Sequence, residues 1–256
     1  YLVLTMLLVL GMTVGVQAAE TEHKPTEIKD LTFDHSMELS YAKEFNVDYY
    51  EGGYALITID QEGQFLVVPE GKEAPEGLSS DIAVLKQPIS NIYMVATSAM
   101  DLFRAIDGID SIHLSGTKED GWYIQEAKDA MKQKKMIYAG KYSAPDYEQI
   151  LSSGCDLALE STMIYHVPDV KAQLEQLKIP VFVERSSYEA HPLGRMEWIR
   201  LYGVLFDEEE KAEQLFQEQA QQLDAVLAEQ PTGKTVAFFY ITSNGAVNVR
   251  KPGDYV

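Results

Sequence analysis

The chain has 256 residues, 46% of them apolar, and a formal net charge of −19. That length suits one large domain or two modest lobes, each with a core of useful size. The acidity argues against nucleic acid, whose phosphates call for a basic patch, and against simple docking on anionic lipid.

Leu2 to Val16 is an apolar run that ends in Val16-Gln17-Ala18-Ala19. It reads as the core and cleavage site of a secretory signal peptide, residues 1–18, clipped at its amino end and cut after Ala18. At about 15 apolar residues the run is short for a membrane span. No cysteine stands at the cleavage site, so a lipoprotein anchor is not expected. The protein is expected to be exported, periplasmic or otherwise extracytoplasmic. Residues 19–44 read as a leader whose polar first part, Ala19–Lys29, is flexible. Phe45–Val68 reads as an antiparallel meander: Asn46–Tyr50, a turn at Glu51-Gly52-Gly53, Tyr54–Asp60, and Gln64–Val68. Pro69–Ser80 reads as a loop.

Six apolar segments then each run into a small polar cluster. They are Asn91–Ala96, Ser111–Leu114, Lys135–Gly140, Cys155–Leu159, Pro180–Glu184 and Thr235–Ile241. Most lead into helical patterns, which predicts an α/β fold with a parallel sheet. Ligands bind such sheets at the carboxyl ends of the strands. Ser98 and Asp101 predict a capping box. Trp122–Lys132 predicts a helix, and Pro145 and Pro168 each predict a helix start at the first position. Asp207–Glu229 is the longest helical pattern, with Asp207 and Glu210 as a capping box. At about 1.5 Å per residue it spans roughly 35 Å, enough to join two lobes or to lie as a surface helix. Thr235–Ile241 reads as the start of a further α/β unit. The expected divisions are a lobe over 45–206, a helix over 207–230, and the uncompleted start of a second lobe over 234–256.

No nucleotide-binding loop, hydrolase elbow or zinc-protease motif is present. His23, His35, His113, His166 and His191 are scattered without metal-ligand spacing, so neither a resident metal nor a catalytic residue is expected. Cys155 stands alone, which rules out an intrachain disulfide and predicts a buried strand thiol. The candidate ligand-binding residues are those at strand tips: Thr97, Ser98, Lys141, Tyr142, Glu160, Arg185, Tyr188, His191, Arg195 and Asn244. Arg185, Tyr188, His191 and Arg195 suit a bulky anionic or aromatic ligand; the same stretch also reads as a capped, salt-bridged helix start. Lys141-Tyr142 precedes a helix whose positive end favours an anion, or forms a solvated turn. Glu160-Ser161-Thr162 reads as a ligand contact or a simple N-cap cluster.

The element Pro145-Asp146-Tyr147-Glu148-Gln149-Ile150, followed by Cys155-Asp156-Leu157-Ala158, resembles the Pro-Asn-Leu-Glu-x-Ile … Pro-Asp-Leu-Val element of a known family. That family is the solute-binding proteins of ABC importers for ferric siderophores, haem and corrinoids. The resemblance covers about 89–256. It implies two Rossmann-like lobes joined by one long helix, the class III periplasmic-binding-protein fold, with the second lobe largely missing from this chain. It also implies a monomer that captures a metal chelate and hands it to an ABC permease with its ATPase, with Glu148 pairing a permease arginine. Under this reading there is no cofactor: a ferric siderophore arrives with its iron already wrapped. Two alternatives remain at this stage. One is a haem or corrinoid binder in which His191 or His166 coordinates the metal. The other is a secreted α/β enzyme using Glu160 or Glu184 with Ser161 or Tyr188.

Overall fold

A computed structural model describes residues 23–230 and 232–250. The expected signal peptide, 1–18, lies outside the described residues.

The chain begins with β1 (Phe33–Ser36), β2 (Phe45–Tyr50), β3 (Tyr54–Ile59), β4 (Gly63–Val68) and β5 (Ile82–Lys86), which form one sheet in that order. The first four strands pair antiparallel, and β5 adds parallel to β4. The Glu51–Gly53 turn falls where predicted; Gly52 and Gly53 both hold positive φ, which side chains with a Cβ resist. Alternation puts Phe45, Val47, Ile57 and Phe65 on the face toward the main core. The opposite face buries Tyr50, Leu56 and Leu66 under Ile28.

Residues 33–44, expected as part of a leader, are instead built into the body. Strand β1 is a paired edge of the sheet. The backbone N–H groups of Ser40, Tyr41 and Ala42 donate to the buried Glu197 carboxylate at 2.8, 2.8 and 2.7 Å. Those of Lys43 and Glu44 donate to Glu189 at 2.9 and 3.1 Å. Local polarity pointed to solvent; two distant carboxylates supply the partners that hold the segment.

The second half alternates strand and helix. In chain order it runs β6 (Ile92–Met94), α1 (Met100–Ala105), β7 (Ile112–Ser115), α2 (Gln125–Lys132), β8 (Ile137–Tyr138), β9 (Gly140–Lys141), β10 (Ala144–Pro145), α3 (Tyr147–Ser152), β11 (Leu157–Ser161), α4 (Pro168–Gln176), β12 (Val181–Glu184), α5 (Pro192–Phe206) and α6 (Glu209–Leu227). Strands β12-β11-β6-β7-β8 form one parallel sheet in that order, while β9 and β10 pair with each other. One face of this sheet shares the main core with the first sheet, α1 and α5; Phe65 meets Phe182 at 5.0 Å and Phe45 meets Trp198 at 5.1 Å between ring centroids. The other face packs Tyr93, Ala158 and Val183 against Ile150, Val170 and Leu174 of α3 and α4.

Helix starts differ from expectation in instructive ways. Pro168 does open α4. Pro145 pairs in β10 instead, and Asp146 caps α3 by accepting the Gln149 N–H at 3.0 Å. The Ser98–Asp101 capping box does not form, because the Ser98 hydroxyl donates to Glu184 at 2.6 Å. Asp207 takes a left-handed conformation that closes α5, so α6 starts at Glu209 without a side-chain cap. At 19 residues α6 spans roughly 28 Å. Its first part buries Ala212, Phe216 and Ala220, while Val226 and Leu227 are exposed. Beyond it, β13 (Phe239–Ile241) and β14 (Val247–Val249) form an exposed antiparallel hairpin rather than the expected start of a parallel unit.

Candidate functional site

The strand order reverses between β6 and β11, so the loops that follow them diverge and open a crevice at their carboxyl ends. Thr97 and Ser98 follow β6, Glu160 and Ser161 end β11, and Arg185 to Tyr188 follow β12. The tertiary structure therefore brings these predicted residues to one sheet edge. Lys141 and Tyr142 follow β8 on the same edge, with Lys141 exposed and Tyr142 half-buried.

Several of these side chains are committed inside the protein. The Arg185 guanidinium is buried and pairs with Glu44 at 2.7 Å; its Nη1 donates to the Tyr165 hydroxyl at 2.8 Å, and its Cζ lies 4.6 Å from the Tyr188 ring centroid. His191 caps α5: its Nδ1 accepts the Leu193 N–H at 3.1 Å, and its ring stacks on Tyr41 at 4.6 Å. Arg195 is exposed and donates to the Ser187 carbonyl at 3.2 Å. The stretch thus caps α5 through His191 and ties Arg185 to Glu44, a residue from the first half of the chain. Asn244 lies in the turn between β13 and β14, where it accepts the Ala246 N–H at 3.3 Å and the Thr242 hydroxyl.

Glu160 is fully buried, and neither carboxylate oxygen has a hydrogen-bond partner among the described residues. Burial pushes its pKa up to about 8, well above the ordinary carboxylate range. Register sets Glu160 beside Val183 and Ser161 beside Glu184. Side chains alternate along a strand, so Glu160 and Glu184 point to opposite faces of the sheet. Glu184 instead accepts from Ser98 and from the Ser186 N–H at 2.8 Å. These two carboxylates cannot work as an acid–base pair on one substrate.

What the edge does present is aromatic. Tyr165 after β11 and Tyr188 after β12 are 38% and 53% exposed, and Tyr123 in the loop after β7 is fully exposed. Tyr165 was not among the predicted contacts; its signal was an aromatic residue within ten residues of a strand tip. Trp122 and Tyr123 after Gly121 read from sequence as cleft-lining or core residues, and they divide, Trp122 buried and Tyr123 exposed. Both tryptophans are buried, Trp122 donating to the Ser115 hydroxyl at 3.1 Å and Trp198 to Glu189 at 3.0 Å. Among the described residues no group of three His, Cys, Asp or Glu side chains is placed to hold a metal ion. Glu148 is exposed in the first turn of α3, on the wall of a groove of about 540 Å³ between α3 and α4.

No protein-family profile matches the chain. A curated relative, the uncharacterized lipoprotein MJ0878 of Methanocaldococcus jannaschii, is 22% identical over 222 residues, covering 77% of this chain and 52% of the relative. That relative is a lipoprotein, which does not fit the expectation of no lipid anchor; the amino end concerned lies outside the described residues. The periplasmic haem-binding protein HutB of Vibrio cholerae is similar in structure, with a TM-score of 0.50 and 19% identity over 62% of this chain and 58% of its own. The petrobactin-binding protein YclQ of Bacillus subtilis follows at a TM-score of 0.49 and 14% identity, covering 64% and 55% of the two chains. The chain thus spans a little over half the length of these proteins. Over the aligned part, the parallel five-stranded sheet is the α/β fold of the class III periplasmic binding proteins.

Proposed function

We propose that this protein is an extracytoplasmic solute-binding protein that captures an iron chelate, a ferric siderophore, and delivers it to an ABC permease. The observation that carries this reading is the open carboxyl edge at the β6–β11 reversal. It offers polar tips and exposed tyrosines, while its carboxylates are split between the two faces of the sheet. Such an edge suits holding a preformed complex. Haem or a corrinoid is the second reading, favoured by the likeness to a haem-binding protein. In that reading the exposed His166 beside Tyr165 is the readier metal ligand, since His191 Nδ1 accepts the Leu193 N–H and its ring stacks on Tyr41.

The test is calorimetric titration of the full chain with a ferric trihydroxamate, a ferric tricatecholate, haemin and cobalamin. Binding of at least one at about micromolar Kd or tighter is expected. Failure of all four to bind overturns the proposal.

A further inference from the structure

Arg185 stands where a ligand contact was expected, yet its guanidinium is engaged on every side. Nε and Nη2 hold the Glu44 carboxylate at 2.8 and 2.7 Å, Nη1 holds the Tyr165 hydroxyl, and the Tyr188 ring lies against its Cζ. A planar fork with several donors can fix two partners at once, which a lysine ammonium cannot. Burial works against the charge, but the hydrogen bonds to Tyr165 and Glu44 outweigh it, so the pKa is raised and the cation is permanent. The two tyrosines sit on adjacent strand tips, and both remain more than a third exposed.

The Tyr165 oxygen is itself committed. It accepts from Arg185, and burial together with the neighbouring Glu62 carboxylate pushes the phenol up to about 12. Glu62 is held in turn by Lys171 at 3.0 Å. What Tyr165 offers outward is a ring, not a phenolate. Tyr188 likewise has a cation against its ring, which anchors the ring through its quadrupole.

Building on the binding-protein reading above, we propose that Arg185 is a positioning residue. It sets Tyr165 and Tyr188 as a two-ring platform for chelates with flat π faces, catecholate or porphyrin, in preference to aliphatic ones. The rings contact the ligand; Arg185 and Glu44 do not.

The experiment titrates the full chain with a ferric tricatecholate, haemin and an aliphatic ferric trihydroxamate. Tyr165→Ala and Tyr188→Ala are expected to weaken π-faced chelates roughly three- to tenfold each. Tyr165→Phe, which keeps the ring but loses the hydroxyl that Arg185 holds, is expected to weaken the same ligands less than Tyr165→Ala does, and bound haemin shows no ferric–phenolate absorption. Arg185→Met weakens the same ligands and reduces the tyrosine near-ultraviolet circular dichroism of the free protein with its helix signal intact; Arg185→Lys does not restore it. Should Arg185→Met fail to fold, the surface variants Tyr165→Ala and Tyr188→Ala still decide. Equal affinity for the trihydroxamate, or unchanged affinity in both alanine variants, overturns the platform and leaves the binding-protein reading standing. A phenolate band lost in Tyr165→Phe also overturns it. Binding of none of the three, with cobalamin negative as well, overturns the underlying reading and the platform with it.

Discussion

Glu160 shows how far a single side chain can depart from what its neighbours in sequence suggest. As part of a polar strand tip it reads as a ligand contact, but alternation along β11 turns it into the core shared with α3 and α4. Tyr93 of β6 and Tyr147 of α3 lie close enough to feel its charge. Its native pKa of about 8 lies above the ordinary carboxylate range. Between the two the native state keeps a proton that the unfolded chain has released. Stability is therefore greatest below the unfolded value and falls as pH rises toward the native one, by about 1.4 kcal/mol per pH unit. Urea unfolding of wild type and Glu160→Gln from pH 5 to 9 checks this. The wild type is expected to lose stability relative to the variant up to about pH 8, with the difference constant above it. Parallel profiles would exclude a buried neutral Glu160. Arg185 and His191 were legible as a dense polar cluster, but their partners Glu44, Tyr165 and Tyr41 are far away in sequence, and no local pattern points to them.

At the scale of elements, runs of apolar residues located strands well because burial on both faces needs them. All six predicted strand segments overlap one, and five of them build the parallel sheet; the sixth, β13, is exposed along its length, so burial does not account for it. The short, polar β1 escaped notice, since its face toward solvent needs no apolar residue. Capping motifs were less reliable: Ser98 and Asp207 both have the residue type for a cap, but Ser98 found a tertiary acceptor and Asp207 closes the preceding helix. The approach of α5 and α6 depends on Gly203, where a Cβ would stand 2.8 Å from the Ala212 Cβ and 3.1 Å from the Glu209 Cα. Gly203→Ala is expected to push the helices apart and cost about 1–3 kcal/mol. The urea midpoint should fall with an unchanged slope. A midpoint equal to wild type would show that α6 yields without cost. Substitution of the exposed Leu227 to Ala serves as the neutral control.

For the whole molecule, the two sheets share one core, and Glu148 lies in the first turn of α3, on the wall of the groove between α3 and α4. Under the proposed function, with Glu148 as the docking carboxylate that the family resemblance implies, Glu148→Lys is expected to leave chelate affinity unchanged and to reduce uptake by cells that carry the importer. Loss of chelate affinity in this variant would remove Glu148 from a docking role. The alternating apolar runs, the turn glycines and the polar tips determined by themselves an α/β chain with a meander before it and polar clusters at its strand ends. These are properties of local patterning, set within a few residues. The tertiary structure alone decided which tips meet at the β6–β11 reversal, that residues 33–44 belong to the body, and that Arg185 faces inward while Tyr165 faces out. Each depends on partners brought together from distant parts of the chain, and hydrogen-bond satisfaction, unlike periodicity, leaves no trace in local order.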